Sequence, residues 1–136
     1  MKRFLMVILL IGMVSLIQGQ TIFGKWKTID PDTGKDESII EVYKKDGKAY
    51  AKVIAIINDA DRDKTCINCK GENKNKPILG LNILNGLKES GDEWSGGRIL
   101  DPKNGKYYKC YLKLITNNKL KLRGYIGCLL YTSPSP

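Results

Sequence analysis

Hydrophobic and polar residues alternate along most of the chain with a period of two, which is typical of β-strands buried on one face. In residues 107–115, for example, the apolar and aromatic side chains at even positions face away from Lys109 and Lys113. The same alternation predicts seven strands, at residues 22–29, 38–45, 48–57, 79–87, 93–100, 107–115 and 119–126. Since no segment after residue 20 has a sustained helical period, we predict an all-β antiparallel meander, curled into a barrel or folded into a sandwich.

Short turn motifs separate the predicted strands and indicate which of them pair. Asp46–Gly47 is a strong hairpin signal between the second and third strands. Between the fifth and sixth strands, Pro102 presets φ for the second turn position, and Gly105 ends the turn because it tolerates positive φ. Gly96–Gly97 interrupts the fifth strand and indicates a bulge or a close backbone approach.

Small side chains dominate the predicted inner face of the third strand. That face consists of Ala49, Ala51, Val53, Ala55 and Ile57. Small barrels are either filled by side chains or hold one small ligand. If the alanines face inward, they suit tight curvature or leave apolar space opposite the leucines of the last strands.

The first residues have the pattern of a secretory signal peptide. In residues 1–19, Lys2 and Arg3 precede an apolar run over residues 4–14, and Gly19–Gln20 offers a cleavage site. The run is shorter than the ~20 apolar residues that a membrane-spanning helix needs. We therefore predict a cleaved signal helix and export to the periplasm or the extracellular space.

The last residues are unlike the rest of the chain. Residues 128–136 resemble the translation of a transposase-type sequencing adapter, and we predict that they are non-native. The predicted domain is then 20–127, with about seven native strands. An eighth strand after Gly127 would close a barrel without open edges, so we expect that the natural last strand is missing.

The domain contains motifs of a known bacterial family. They are Phe-Gly-Lys-Trp at 23–26, Pro-Ile-Leu-Gly-Leu at 77–81, Trp-Ser-Gly-Gly-Arg-Ile-Leu-Asp-Pro at 94–102, Gly105, Lys106, Tyr108, and Arg-Gly-Tyr-Ile-Gly at 123–127. Together they resemble the family called domain of unknown function 2147, over essentially all of residues 22–127. The resemblance implies an exported, small β-barrel of lipocalin-like (calycin) character, with a last natural strand that ends in a Trp-X-Arg-like pattern. The family has no established activity, so the resemblance concerns fold and export more than function.

The chain is basic and contains no histidine. Its net charge is +9 at pH 7. The basic residues alternate along strands, as Lys119 and Lys121 do, without the interleaved aromatic run that binds nucleic acid. We therefore predict a solvated polar face that binds no nucleic acid and is weakly attracted to anionic envelope surfaces. Histidine is the commonest general base and metal ligand, so we predict no enzyme activity, no metal site and no cofactor.

Cys66 and Cys69 form the one motif in the sequence whose residue types indicate a specific chemistry. They lie in a long polar loop at 58–77, and such loops are often functional or locally stapled. In an exported protein the default is a disulfide. Redox-active thiols and a metal site with Cys110 remain alternatives, although the loop provides no helix N-terminus to lower a thiol pKa.

Five residues are candidates for contact with a ligand. Trp26 and Trp94 are interpreted first as barrel-end packing and second as ligand contacts. By resemblance to lipocalin-like barrels, either Arg123 or an arginine on the missing last strand is a candidate for a cation–π contact with the Trp26 ring. Arg98 and Tyr108 are the candidate polar groups at a cavity mouth.

The leading functional hypothesis is non-catalytic binding of a small apolar or amphipathic molecule inside the barrel. The alternative is an envelope interaction module that acts through its basic faces or an open sheet edge. A cavity volume separates the two hypotheses, because a barrel filled by side chains has no room for a ligand.

Overall fold

The computed structural model describes residues 21–30 and 32–124 with their side chains, and residues 127–132 through their backbone. The predicted signal segment at 1–19 lies outside the described residues. The strands are β1 (Gly24–Ile29), β2 (Asp36–Lys45), β3 (Lys48–Ile56), β4 (Asn82–Ser90), β5 (Glu93–Asp101), β6 (Lys106–Thr116), β7 (Lys119–Gly124) and β8 (Gly127–Thr132). Each strand pairs with the next and β8 pairs with β1, so the sheet closes into a barrel. The predicted all-β antiparallel barrel is confirmed.

The described residues include two short 3-10 helices besides the strands, at Asp59–Asp61 and Gly71–Asn73. Neither they nor any other helix in this part of the chain is long and apolar enough to cross a membrane.

Strand β8 lies where the sequence predicts a missing natural strand. Its backbone pairs with β7 along Lys119–Gly124 and with β1 at Lys27 and Thr28. Five of its six residues belong to the predicted tail. The non-native origin of residues 128–136 stays a prediction, and residues 133–136 lie outside the described part.

The inner face of β3 agrees with the prediction at three positions and differs at two. The buried positions of that face are Ala49, Ala51 and Val53. Ala55 is only half-buried, and Ile57 is 43 % exposed, so their predicted inward placement was wrong. The cause is a bulge at Ile54, which has no opposite residue in β2 and reverses the alternation, so that Ile56 is buried instead.

The predicted irregularity in β5 is a bulge with a close backbone approach. The pairing with β6 shifts between Trp94 and Gly97. A Cβ on Gly97 would overlap the Asn85 carbonyl oxygen and lie 2.8 Å from a methyl carbon of Leu87. Only glycine fits at this contact between β4 and β5.

The long loop between β3 and β4 folds back onto the β5–β6 turn. The side-chain amide of Asn68 donates a hydrogen bond to the Lys103 carbonyl oxygen at 2.8 Å. The side-chain amide of Asn73 donates to the Tyr107 hydroxyl at 3.0 Å. Both contacts join residues more than thirty positions apart in sequence.

Candidate functional site

The interior of the barrel, as far as the described residues line it, contains a small cavity beside Ala51. Ala51 is fully buried, and beside it lies a cavity of about 10 Å³, measured as space for the centre of a water-sized sphere. The cavity is lined by Ile40, Ala51, Ile83, Leu84, Ile99, Leu112 and Leu122. Such a volume is about what one water needs, and this lining offers no hydrogen-bond partner to a water.

Both tryptophans pack at the end of the barrel where β1 begins. Trp26 is buried, and its indole N–H donates a hydrogen bond to the Ile22 carbonyl oxygen at 2.7 Å. Trp94 is also buried and meets Phe23 edge-to-face, with ring centroids 5.3 Å apart. These contacts plug that end, which is the first interpretation given for the two residues from the sequence.

The three polar candidates lie in different places. Arg98 and Arg123 are exposed on the outside of the barrel, whereas Trp26 faces the core. Tyr108 faces inward near the opposite end, and its hydroxyl accepts a hydrogen bond from the Asn104 amide at 2.8 Å. The structure therefore brings the five sequence candidates together at no common cavity.

The predicted disulfide is confirmed. Cys66 and Cys69 are bonded, with their Cα atoms 5.3 Å apart, and both are buried. The surrounding backbone is tied locally, since the Cys66 amide donates to the Lys76 carbonyl and the Asn75 amide donates to the Cys66 carbonyl. The bond thus holds the loop in the shape that contacts the β5–β6 turn.

Cys110 carries a free thiol on the inner face of β6. Burial raises the pKa of this thiol to about 12, so it stays protonated and unreactive at neutral pH. Within the residues that the structure describes, no three His, Cys, Asp or Glu side chains are grouped so as to hold a metal ion.

The outside of β5, β6 and β7 carries a cluster of cationic and aromatic side chains, which we call the basic face. It consists of Tyr107, Lys109, Tyr111, Lys113 and Ile115 along β6, with Arg98 on β5 and Lys121 and Arg123 on β7. Cross-strand pairing places Arg98 opposite Lys109, Lys113 opposite Lys121, and Tyr111 opposite Arg123. On the β5 side the acidic Glu93 lies opposite Lys113, so the face is basic chiefly along its Arg98, Lys109 and Arg123 part. Tyr107 is 43 % exposed and Ile115 is 49 % exposed.

Most cations of the basic face lack a carboxylate partner. Lys113 pairs with Asp92 at 3.2 Å. No such ion pair is found in the described residues for the other four, which are Arg98, Lys109, Lys121 and Arg123. All 14 Asp and Glu residues lie in the described part of the chain, so no acidic side chain is hidden elsewhere. Like charges directly opposite each other on neighbouring strands are destabilising, so Arg98 and Lys109 oppose folding slightly unless an anion lies near them.

The middle of the outer face of β2 and β3 differs, because its groups are paired with one another. Lys52 lies 3.7 Å from Glu41 and 5.6 Å from the centroid of the Tyr43 ring. That ring stacks on Tyr50, and its hydroxyl donates to the side-chain oxygen of Asn82 at 3.2 Å. These central groups satisfy one another, whereas Lys45 and Lys48 at the hairpin end lie opposite each other and have no carboxylate partner among the described residues.

The family model described as "Uncharacterized protein conserved in bacteria (DUF2147)" matches residues 24–134. The chain belongs to this family. No curated protein matches it. Among solved structures it is similar to a protein from the human pathogen Helicobacter pylori that is described as belonging to the lipocalin family. The identity is 21% and the TM-score 0.74, over 86% of this chain and 85% of that chain. At this identity the likeness concerns the fold, and it confirms the predicted lipocalin-like barrel.

The residues of the basic face follow the strand alternation in the sequence, but only the structure shows that they lie together on one surface. The alternation of Lys109 and Lys113 was interpreted as a solvated face of a single strand. The residues that extend the face, Arg98 on one neighbouring strand and Arg123 on the other, lie 11 and 14 positions away from Lys109. Their alignment depends on the β5 bulge, and strand alternation alone does not fix that register.

Proposed function

We propose that this protein is a non-catalytic binding module of the bacterial envelope, which contacts anionic partners through the outside of its barrel. The observation that carries the proposal is that Arg98, Lys109, Lys121 and Arg123 lie together on three adjacent strands and have no carboxylate partner among the described residues. An external anion can contact these cations without breaking an internal ion pair. Without Lys2 and Arg3 of the predicted signal segment, 21 Lys and Arg residues stand against 14 Asp and Glu residues, and this net charge of +7 adds a long-range attraction to anionic surfaces.

The small size of the cavity beside Ala51 supports an external binding surface over an internal one. The cavity beside Ala51 measures about 10 Å³, whereas pockets for small molecules are typically ~300 Å³ or larger. In the described barrel the pairing of β8 with β1 at Lys27 and Thr28 also covers part of the sheet edge that strand addition would need. Of the two external modes expected from the sequence, the basic face therefore has the stronger support.

Export and the lack of catalysis are parts of the same proposal. The signal pattern at residues 1–19 supports export, which would place the domain beside envelope lipids and polysaccharides. The sequence lacks histidine and a recognisable nucleophile motif, which supports a binding role rather than an enzymatic one.

Vesicle binding at different salt concentrations tests the proposal. We expect the protein to sediment with vesicles that contain phosphatidylglycerol and to stay in solution with pure phosphatidylcholine vesicles. Raising the ionic strength from ~0.1 M to ~1 M shortens the Debye length from about 10 Å to about 3 Å and should release the protein. Equal binding to both vesicle types, or no binding to anionic vesicles at low salt, would contradict the proposal.

A second candidate function is the binding of a small apolar or amphipathic molecule inside the barrel. It is favoured by the lipocalin-like fold and by the entirely apolar lining of the cavity beside Ala51. A ligand larger than a water must displace lining side chains in order to enter. The test is titration with an acyl-chain fluorescent probe.

A pair of matched variants decides whether such a probe binds in the cavity. Ala51→Val adds two methyl groups beside the cavity, whereas Ala49→Val adds them at an equally buried position that does not line it. If the probe binds inside the barrel, Ala51→Val should lower the affinity for the probe more than Ala49→Val does. An absence of probe binding to the wild-type protein removes this second candidate.

A further inference from the structure

A flat partner would contact the basic face along one strand, β6. A barrel is convex, so a flat surface that touches it meets one strand and the nearest side chains of its two neighbours. Strand β6 has 11 residues, which corresponds to roughly 35 Å of extended chain. The cations flank this strand on both sides, with Arg98 on β5 and Arg123 on β7.

The outward side chains of β6 combine charge with apolar area. In order they are Tyr107, Lys109, Tyr111, Lys113 and Ile115. Tyrosines are enriched where a protein meets the membrane–water interface, because the ring is apolar and the hydroxyl is polar. Lysine and arginine near an anionic leaflet are attracted to its surface. The alternation presents both kinds of group to one plane.

The convex shape distinguishes between anionic partners. Proteins that bind single-stranded nucleic acid without sequence preference commonly do so in a positively charged groove that tracks the backbone. The basic face is the outside of three neighbouring strands, and such a surface curves away from the partner on both sides. A planar array of anions fits it better than a single flexible polymer does.

We propose that the outer side of β6 docks on the surface of a bilayer rich in anionic phospholipid. The inference rests on the proposed function and specifies its face and its partner. Arg98, Lys109 and Arg123 contact lipid phosphates, for which the arginine fork is well suited. Tyr111 and Ile115 lie against the headgroup region, with the strand parallel to the membrane plane.

Two variants with equal charge change test the face. The face variant replaces three of its cations, Arg98→Gln, Lys109→Gln and Arg123→Gln. The tip variant replaces three cations at the β2–β3 hairpin, Lys44→Gln, Lys45→Gln and Lys48→Gln. We expect the face variant to lose on the order of 100-fold in affinity for phosphatidylglycerol vesicles, and the tip variant to lose less than about tenfold. Arg98→Lys with Arg123→Lys keeps the charge and should restore most of the affinity.

A second matched pair of variants tests the apolar contribution to membrane binding. Ile115 is 49 % exposed on the basic face, and Ile57 is 43 % exposed outside it, after the end of β3. Ile115→Ser should weaken vesicle binding by about tenfold, while Ile57→Ser should leave it unchanged. Equal effects of the two substitutions would contradict the proposed orientation. Thermal unfolding of every variant checks that the fold is retained.

The outcomes separate this inference from the proposed function. If the wild-type protein binds no anionic vesicle, the proposed function fails and this inference fails with it. If the face and tip variants lose affinity equally, the docking face is wrong while anionic binding stands. If the face variant loses affinity for single-stranded DNA or an anionic polysaccharide, and the wild-type protein binds these polymers more tightly than vesicles, the phospholipid partner is wrong.

Discussion

Gly105 lies so close to Asn68 that a Cβ on Gly105 would overlap the Asn68 carbonyl group. The same Cβ would lie 2.8 Å from the Cys69 backbone nitrogen. Gly105 has a φ of +72°, as the last residue of the β5–β6 turn. The turn and the disulfide loop therefore meet through backbone at a position that only glycine fits.

Gly105→Ala should destabilise the protein more than a glycine substitution at an open turn. Gly34 has the same φ of +72°, yet no atom lies within 4 Å of a Cβ placed there. Gly34→Ala should thus cost about 1–2 kcal/mol from the backbone conformation alone. Gly105→Ala should cost about 2 kcal/mol more, because the loop must move away from the turn. Urea unfolding measures both, and equal losses would show that the close approach is unimportant.

Removal of the disulfide should loosen the loop without unfolding the barrel. Replacement of both Cys66 and Cys69 by serine should lower the free energy of unfolding by about 2 kcal/mol, as the chain-entropy estimate gives for such a short loop. Hydrogen exchange should rise in the loop and in the turn that it contacts, and stay low in the strands. Oxidised protein should show no free thiol at these two positions, and stoichiometric zinc in the native protein would contradict this account.

The Cys110 thiol should make the free energy of unfolding depend on pH only at alkaline pH. Its pKa is about 12 in the folded protein, against 9.0 for the ordinary thiol. Between these values the unfolded chain loses a proton that the folded protein keeps, so a rise in pH favours unfolding. The difference in unfolding free energy between wild type and Cys110→Ala should fall by about 1.4 kcal/mol per pH unit above pH 9. A constant difference, or rapid alkylation of the native thiol, would contradict the burial of this group.

Truncation after Gly127 tests the role of β8. This change removes backbone pairs with β7 and with β1 and leaves two open edges. We expect a marked loss in the free energy of unfolding and a greater tendency to aggregate. An unchanged unfolding transition would show that β8 contributes nothing to stability and would contradict its pairing with β7 and β1.

The strand pattern was predictable because it depends on local alternation and turn chemistry. Residues 107–115 and the turn ending at Gly105 have the conformations that their sequence predicts. The misplacement of Ala55 and Ile57 has a physical cause, since one extra residue in a strand reverses every later side chain. No sequence signal marks the bulge at Ile54, because the surrounding strand contains neither glycine nor proline.

The candidate site was less predictable than the fold, because it depends on which strands lie side by side. Trp26 and Trp94 reach the same end of the barrel, as barrel-end packing requires. Arg98 and Arg123 were considered for a cavity and for a ring contact, but both are exposed on the outer surface. The residues opposite Arg98 and Arg123 on strand β6 are known only from the strand register, and these residues define the basic face.

Native mass spectrometry of the purified protein tests the central claim most directly, namely that binding occurs on the outside of the barrel and not inside it. The account predicts that the protein carries the mass of its polypeptide alone after gentle purification at high salt. It also predicts that Ala51→Val leaves the spectrum unchanged apart from the substitution. A small molecule that co-purifies with the wild-type protein at high salt, and is lost in Ala51→Val but retained in Ala49→Val, would contradict the account and place the function inside the barrel.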